Sequence, residues 1–277
     1  MIFNSAEQVF LSENYQKALV ALQSYVDEYP KGADLYKAEF YMAESYRALE
    51  RLEQACDCYA NVIQYGEGSF VELSMLHFAN LSYRLERWDD ALRGYASLYE
   101  TAKLPNNAYL AMLGQMRSAY RGHEWNIALD WVEKVTGTES AEPQLKREAL
   151  FIKAKSLLAV SRRDEAMGVL DSLAADKNDA YGAEAAYMLI VDSYDRGAFE
   201  EVENKVYAFA DAGSPQTYWL AKSFIVLGDS FAEREEMEQA KATFESVKDG
   251  YTPSGDEDDV LDNVAYRLKK LAELAAE

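Results

Sequence analysis

A pattern that recurs about every 37 residues constrains this chain more than any other feature. Segments 49–55 (LERLEQA) and 85–91 (LERWDDA) are near copies of each other, 36 residues apart. Extending their register in both directions gives one landmark residue per unit, spaced by 36 to 38 residues: Ala18, Ala55, Ala91, Ala128, Ala166, Val202 and Ala240. A chain that repeats a unit of this length folds as a row of stacked copies of one small motif.

Other side chains keep a fixed distance from the landmark. The position twelve residues before it (position −12) is small in five of the seven units, where the residues are Ala6, Ala43, Ala79, Met116, Ala154, Ile190 and Gly228. Bulky residues follow four and seven positions after it (positions +4 and +7), as Tyr95 and Leu98 do in the third unit. Small residues let two antiparallel helices approach closely, and residues at i, i+4 and i+7 share one helical face. Each unit is therefore predicted to be a helical hairpin that buries this face against the next hairpin.

The composition predicts a fold class without strands. Ala, Leu, Glu, Lys and Tyr recur at helical spacing, proline occurs only 5 times, and β-branched residues never form alternating runs. We therefore predict an all-α chain that forms one domain over residues 1–277. The predicted hairpins lie near residues 1–32, 33–69, 70–105, 106–142, 143–178, 179–214 and 215–253, and a capping helix follows at 257–276.

The pattern of small and bulky positions resembles the tetratricopeptide repeat (TPR). The last unit carries the best likeness, in Leu227, Gly228, Phe231, Ala240 and Phe244. The resemblance covers essentially the whole chain, and it implies an α-solenoid of about seven TPR-like hairpins with a C-terminal capping helix. The units are longer than the usual TPR period of about 34 residues, which predicts lengthened turns.

The opening units also resemble a narrower group of bacterial cell-envelope proteins. This likeness rests on Tyr15, Ala18, Leu22, Tyr25 and the turn 29–32 (YPKG). The group includes the lipoprotein of the outer-membrane barrel assembly machine and the division coordinator linked to the Tol–Pal system. If the sequence is a piece of a longer secreted protein, the resemblance implies the periplasm or cell envelope. Otherwise the start of the sequence, which is unlike a secretory leader, predicts the cytoplasm.

Charge and composition argue against several classes of function. The net charge is −20, so a basic protein that follows nucleic-acid phosphates is not expected. No apolar run approaches the roughly 18–20 residues that insert into a bilayer. Two cysteines and two histidines leave little material for a metal or acid–base site, and no phosphate loop or nucleophile elbow occurs. We expect no enzyme activity, no cofactor and no metal, and we interpret Cys56 and Cys58 as buried packing residues.

The TPR resemblance implies that the first helix of every hairpin lines a concave groove that binds peptides or partner helices. One candidate line lies fifteen residues before the landmark (position −15), and a second lies eight before it (position −8), with basic residues close to both. The predicted groove residues are Phe40, Arg47, Leu76, Tyr83, Arg84, Leu113, Arg117, Tyr120, Arg121, Phe151, Lys155, Tyr187 and Tyr194. The alternative for position −15 is that it holds packing residues between helices.

Tyrosine beside arginine is a favoured combination at protein interfaces. We therefore predict a non-enzymatic scaffold that binds a peptide or protein in the groove. The alternative is a structural spacer within a larger cell-envelope protein, with the groove unused. TPR proteins that clamp a C-terminal carboxylate use paired lysines and asparagines. Here Asn80 is the lone asparagine eleven residues before a landmark, which argues against chaperone-tail binding of that type.

Overall fold

The protein is helical throughout the part that the structure describes. A computed structural model describes residues 2–255 and 257–274, and within these ranges it contains fifteen helices and no strand. The helices are α1 (Ile2–Leu11), α2 (Tyr15–Glu28), α3 (Leu35–Ala48), α4 (Leu52–Gln64), α5 (Val71–Arg84), α6 (Trp88–Thr101), α7 (Pro105–Arg121), α8 (Trp125–Gly137), α9 (Pro143–Ala159), α10 (Arg163–Ala174), α11 (Ala180–Asp195), α12 (Phe199–Asp211), α13 (Thr217–Glu233), α14 (Met237–Gly250) and α15 (Val260–Leu274).

Consecutive helices pair into seven hairpins, and α15 packs on the last of them. This confirms the predicted fold class of about seven TPR-like hairpins with a C-terminal helix. The described residues fall into two compact units that divide between Ser140 and Ala141. The first unit holds α1–α8 and the second holds α9–α15. A single domain over 1–277 stays a prediction, and residues 275–276 of the predicted capping helix lie outside the described residues.

The repeat register marks the core. All seven landmark residues have no exposed surface, and the positions twelve before, four after and seven after each landmark are also buried. In the third hairpin, for example, Ala91 packs in one cluster with Ala79, Tyr95 and Leu98. Each large apolar side chain that is buried in this way contributes about 1.5–3 kcal/mol to folding. Within each of the two units, the face that the sequence marked as buried is the face on which the hairpins stack.

Every first helix ends in the same turn. The residue five positions before the landmark adopts a left-handed conformation, with φ between +55° and +69°, at Glu13, Glu50, Glu86, His123, Ser161, Gly197 and Glu235. In the third hairpin the Arg87 N–H donates to the Ser82 carbonyl at 2.9 Å, and the Glu86 N–H donates to the Tyr83 carbonyl at 3.1 Å. This pair of bonds is the Schellman motif, which satisfies the last carbonyls of a helix. The turn fixes where the second helix starts and so holds each hairpin closed.

Candidate functional site

The first unit carries a surface hollow between α5 and α7. It has a volume of about 310 Å³ and is lined by Asn80, Tyr83, Arg84, Tyr95, Leu110, Leu113, Gly114 and Arg117. The first three residues lie on α5, Tyr95 lies on α6, and the other four lie on α7. Four predicted groove residues, Tyr83, Arg84, Leu113 and Arg117, therefore meet at one place. We call it the α5–α7 hollow.

Gly114 lines the α5–α7 hollow where the Tyr95 ring packs on α7. It stands fourteen residues before its landmark, where the other units have Asn4, Tyr41, His77, Ile152, Met188 and Val226. A Cβ atom at Gly114 would lie 2.4 Å from two carbons of the Tyr95 ring, well inside van der Waals contact. Only glycine lets this ring lie against the backbone of α7. The missing side chain therefore seats the Tyr95 ring, which itself lines the hollow beside Gly114.

A hydrogen bond inside the α5–α7 hollow orients Asn80. The Tyr95 hydroxyl donates to Oδ1 of Asn80 at 2.6 Å. Burial is the main factor that raises the pKa of Tyr95 to about 12, and the nearby charge of Arg117 opposes the increase. The hydroxyl is therefore a proton donor at neutral pH. Because Oδ1 of the exposed Asn80 accepts this proton, its amide nitrogen is the group that presents two further donors.

The polar rim of the α5–α7 hollow is basic in an acidic protein. Arg84 and Arg117 contribute guanidinium groups, and none of the residues that line the hollow is an aspartate or glutamate. The Arg84 side chain is 57% exposed, and its nitrogen lies 3.6 Å from the Glu50 carboxylate. An exposed pair at this distance contributes about 0–1 kcal/mol, so it leaves the guanidinium open to exchange with another anion.

Tyr83 belongs to an aromatic pair that recurs near the hairpin turns. Its ring meets Trp88 edge to face, with centroids 5.2 Å apart. Tyr120 meets Trp125 at 6.0 Å, and Tyr194 contacts Phe199 at 5.9 Å. In each pair the first ring is at position −8, and all three tyrosines remain half-buried. The second ring therefore supports one side of the tyrosine and leaves part of it open to solvent.

The expectation for position −15 needs correction. Phe40, Leu113 and Phe151 are at most 9% exposed, so they pack in the interior and offer a partner almost no area. The Phe40 ring stacks on Phe70, with centroids 4.1 Å apart, and Phe151 contacts Tyr181. Leu113 reaches only the floor of the α5–α7 hollow. Leu76 packs half-buried beside a core cluster, and Tyr187 packs half-buried against Trp219.

Three other predicted basic residues are held by acidic neighbours. Arg47 bonds to Glu44 at 2.5 Å, and that carboxylate also accepts a hydrogen bond from the Tyr59 hydroxyl. In the same unit, Arg121 lies 4.0 Å from Glu86 and over the Trp88 ring. In the second unit, Lys155 bonds to Glu184 at 3.1 Å. Of the five predicted basic residues, Arg84 and Arg117 line the α5–α7 hollow, and Arg84 is likewise paired, with Glu50.

The cysteines and histidines pack among other side chains. Cys56 and Cys58 are both buried, and burial raises the pKa of Cys58 to about 12, so its thiol stays protonated. His77 lies 3.6 Å from Glu44, and burial lowers its pKa despite that carboxylate. Within the described ranges, no three His, Cys, Asp or Glu side chains are arranged to hold a metal ion. In the same ranges, no helix is both long and apolar enough to cross a membrane.

Comparisons with known proteins agree with the helical-repeat fold. The tetratricopeptide repeat model TPR_6 matches residues 37–65, which cover most of α3 and all of α4. A structure of Naa15/Naa10 bound to HypK-THB aligns with 100% of this chain at 12% identity and a TM-score of 0.50, while this chain covers 39% of that one. A tetratricopeptide repeat protein from Parabacteroides merdae aligns over 98% of this chain and 97% of its own, at 14% identity and a TM-score of 0.48.

No curated protein sequence matches the chain significantly. The matches that do exist say nothing about the cell-envelope proteins that the opening units resemble, so that likeness remains a prediction. The second hairpin matches the repeat model directly, and the other six hairpins bury the same register of residues. The sequence match to the tetratricopeptide repeat is therefore shown for the second hairpin, and the other hairpins share its helical-repeat fold.

Proposed function

We propose that the protein is a non-enzymatic scaffold that binds a segment of a partner protein in the α5–α7 hollow. A TPR fold by itself suggests protein interaction. The observation that carries the proposal further is the convergence of Tyr83, Arg84 and Arg117 on one open hollow with an apolar floor. Tyrosine and arginine supply much of the binding energy at protein interfaces.

The size of the α5–α7 hollow suits one side chain of a bound segment. Its volume of about 310 Å³ is at the lower end of the range for small-molecule pockets. Leu110 is 38% exposed at its edge and gains burial when a partner covers it. Covering one large apolar side chain contributes about 1.5–3 kcal/mol, so several such contacts are needed for a stable complex.

The proposed binding surface extends from the α5–α7 hollow to half-exposed neighbours on the first helices. In the first unit these are Tyr120 and Arg121, with Arg47 and Leu76 on the side of the earlier hairpins. In the second unit, Lys155, Tyr187 and Tyr194 are candidates for a separate contact. Phe40 and Phe151 are set aside because their side chains are buried.

Capture of partners by a double variant tests this function. Tyr83→Ala with Tyr120→Ala should reduce capture from extracts of the protein's own cell at least tenfold, because both half-exposed rings lie on the proposed surface. The matched control is Tyr65→Ala with Tyr99→Ala, which removes two exposed tyrosines of the same unit that lie away from the hollow. Circular dichroism checks that both variants remain folded.

Two outcomes of this experiment oppose the proposal. If both double variants capture the same partners as the unmodified chain, the groove is not used, and the structural-spacer alternative is favoured. If the Tyr83/Tyr120 variant loses its helical signal, the two rings are part of the core. The control pair would then show whether loss of any two tyrosines has the same effect.

A further inference from the structure

We infer that an aromatic corner on the second helices of the third and fourth hairpins binds a small quaternary ammonium compound. Tyr99 of α6 and Trp131 of α8 form this corner, which we call the Tyr99–Trp131 corner. Neither residue lines the α5–α7 hollow. The corner goes beyond the proposed function, because it is a separate site that takes a small solute rather than a segment of a partner protein.

The two rings of the Tyr99–Trp131 corner turn their faces toward one cation. The rings stand at 85° to each other, with centroids 4.9 Å apart. The Lys134 ammonium lies 3.6 Å from the Trp131 centroid and 5.2 Å from the Tyr99 centroid. These three distances place the ammonium in the angle between the two rings rather than behind either of them. The corner therefore already holds a cation where the negative faces of both rings attract it.

The repeat does not require aromatic rings at these two positions. Trp131 stands three residues after its landmark (position +3), and Tyr99 stands eight after its own (position +8), whereas the positions that every second helix buries are the landmark, +4 and +7. The other units have Ala21, Cys58, Gly94, Val169, Lys205 and Thr243 at +3, and Val26, Ile63, Thr136, Ala174, Ala210 and Lys248 at +8. The aromatic pair is therefore a feature of this one junction between hairpins.

The Tyr99–Trp131 corner is open to solvent. Tyr99 is 38% exposed, and Lys134 is exposed as well. Ile127, one turn before Trp131 on α8, is also exposed, at a position where every other unit has a charged or amide side chain. Residues at i and i+4 are neighbours on a helix, so Ile127 extends the apolar surface beside Trp131. A cation that carries methyl groups therefore finds apolar contact as well as two ring faces.

A quaternary ammonium group suits the Tyr99–Trp131 corner better than a primary ammonium does. The Lys134 ammonium has three N–H donors, and ring faces are weak acceptors for them. It is also strongly hydrated, so it loses contact with water when the rings cover it. A quaternary ammonium has no donor to satisfy, and aromatic side chains recognise such groups through cation–π attraction.

Lys134 is a weak internal competitor for the Tyr99–Trp131 corner. A cation–π contact at an exposed site contributes little, and the flexible lysine stem lets the ammonium move into water instead. The net charge of −20 draws small cations toward the protein as a whole. A quaternary ammonium solute therefore displaces the Lys134 ammonium, because the solute gives up less hydration on entering the corner.

Titration of the full chain with choline, followed by NMR through the indole N–H signals of its four tryptophans, tests the inference. The Trp131 signal is assigned from its absence in Trp131→Phe. We expect choline to shift this signal at millimolar concentration and to leave Trp219, in the second unit, unshifted. Ethanolamine lacks the three N-methyl groups of choline and should bind at least about fivefold more weakly.

Two substitutions of Lys134 separate competition from charge. Lys134→Ala removes the internal cation and should strengthen choline binding about two- to fivefold. Lys134→Arg keeps the charge but supplies a guanidinium that stacks on aromatic faces, so it should weaken choline binding. If Lys134→Arg bound choline as the unmodified chain does, or if Lys134→Ala bound it more weakly, Lys134 would not be a competitor in the corner.

A matched pair of tyrosine variants tests the second wall of the Tyr99–Trp131 corner. Tyr99→Leu keeps an apolar side chain but removes the ring face, so choline binding should weaken at least about fivefold. Tyr65→Leu makes the same change at another exposed tyrosine of the first unit and should leave binding within about twofold. Thermal unfolding checks that both variants are folded. If Tyr99→Leu is not, the Lys134 variants decide, since their side chain is exposed.

Three results would overturn the inference. If choline left the Trp131 signal unshifted, or shifted all four tryptophan signals equally, the Tyr99–Trp131 corner would not be the site. Equal binding of choline and ethanolamine would overturn the quaternary specificity. A trimethyllysine peptide that bound far more tightly than choline would show that the flanking peptide carries the binding, which would overturn the assignment to a small solute. The α5–α7 hollow is tested by other variants, so the proposed function stands or fails separately.

Discussion

Ala91 shows how little space a single residue has inside a hairpin. Its side chain is fully buried in a cluster with Ala79, Tyr95 and Leu98. Ala91→Glu should lower the free energy of unfolding by at least about 3 kcal/mol, because it places a charge among apolar atoms. Urea denaturation followed by circular dichroism measures this loss. Ser97→Glu, an exposed change on the same helix, is the control. A loss below about 0.5 kcal/mol for Ala91→Glu would mean that the repeat register is wrong.

Two helical glycines should respond in opposite directions to the same substitution. Gly168 lies in α10, and no atom stands within 4 Å of an added Cβ, so Gly168→Ala should stabilise the protein by about 0.5–1 kcal/mol. Gly114→Ala forces its Cβ into the Tyr95 ring and should destabilise by about 1 kcal/mol after the helix gain is subtracted. Thermal unfolding of the two variants provides the comparison. A stabilising Gly114→Ala would contradict the close approach of Tyr95 to α7.

At the scale of an element, the left-handed turn predicts an order of stability. Glu235 has φ of +63° between α13 and α14. A left-handed conformation costs a residue with a side chain about 1–2 kcal/mol relative to glycine. About 0.5–1 kcal/mol of this difference is offset, because glycine has more conformational entropy to lose when the chain folds. Glu235→Gly should therefore raise the free energy of unfolding by up to about 1.5 kcal/mol, and Glu235→Val should lower it. Urea denaturation gives the free energy of unfolding of the three proteins. If Glu235→Val were more stable than Glu235→Gly, the turn geometry would be contradicted.

The last helix offers a prediction about pH. Asp259, just before α15, accepts a hydrogen bond from the Lys222 ammonium at 2.8 Å and another from the Tyr218 hydroxyl at 3.1 Å. The bond from Lys222 is the main factor that holds the pKa of Asp259 below its ordinary value. A lowered pKa in the folded state means that this carboxylate stabilises the fold above the pKa of the unfolded chain, about 3.9. The stabilisation is lost as the pH falls through the lower, folded value.

Hydrogen exchange of α15 amides tests this linkage. The α15 amides should be less protected in Asp259→Asn than in the unmodified protein. This difference in protection should be constant from pH 7 to about pH 5 and should shrink as the pH falls below about 4. Asp249→Asn, at an exposed carboxylate near the end of α14, serves as the control and should leave α15 protection unchanged. If the effect of Asp259→Asn is the same at pH 3 as at pH 7, the carboxylate does not fasten α15.

At the scale of the whole molecule, the fold could be predicted from the sequence because one register repeats along the chain. The landmark residues and the residues at +4 and +7 carry the core, and each hairpin supplies them again. The turn residues could not be predicted in the same way. Six of the seven left-handed positions hold Glu, His or Ser rather than glycine, and only Gly197 signals that conformation in the sequence.

The candidate site was only partly predictable. Positions −15 and −8 are seven residues apart and share a helical face, so sequence periodicity cannot separate them. Residues at the start of the next hairpin, such as Phe70 over Phe40, cover position −15, and no local pattern reveals that contact. Gly114 was the available signal that was missed, because every other unit has a side chain at that position.

Photo-cross-linking from inside the α5–α7 hollow tests most directly whether a partner binds there. A photoreactive benzoylphenylalanine replaces Leu110 in one protein and Tyr99 in another, two residues of the first unit that are each 38% exposed. Only Leu110 lines the hollow. We expect a partner adduct from position 110 that disappears with Tyr83→Ala, and no such adduct from position 99. Equal adducts from both positions, or an adduct from position 99 alone, would contradict it.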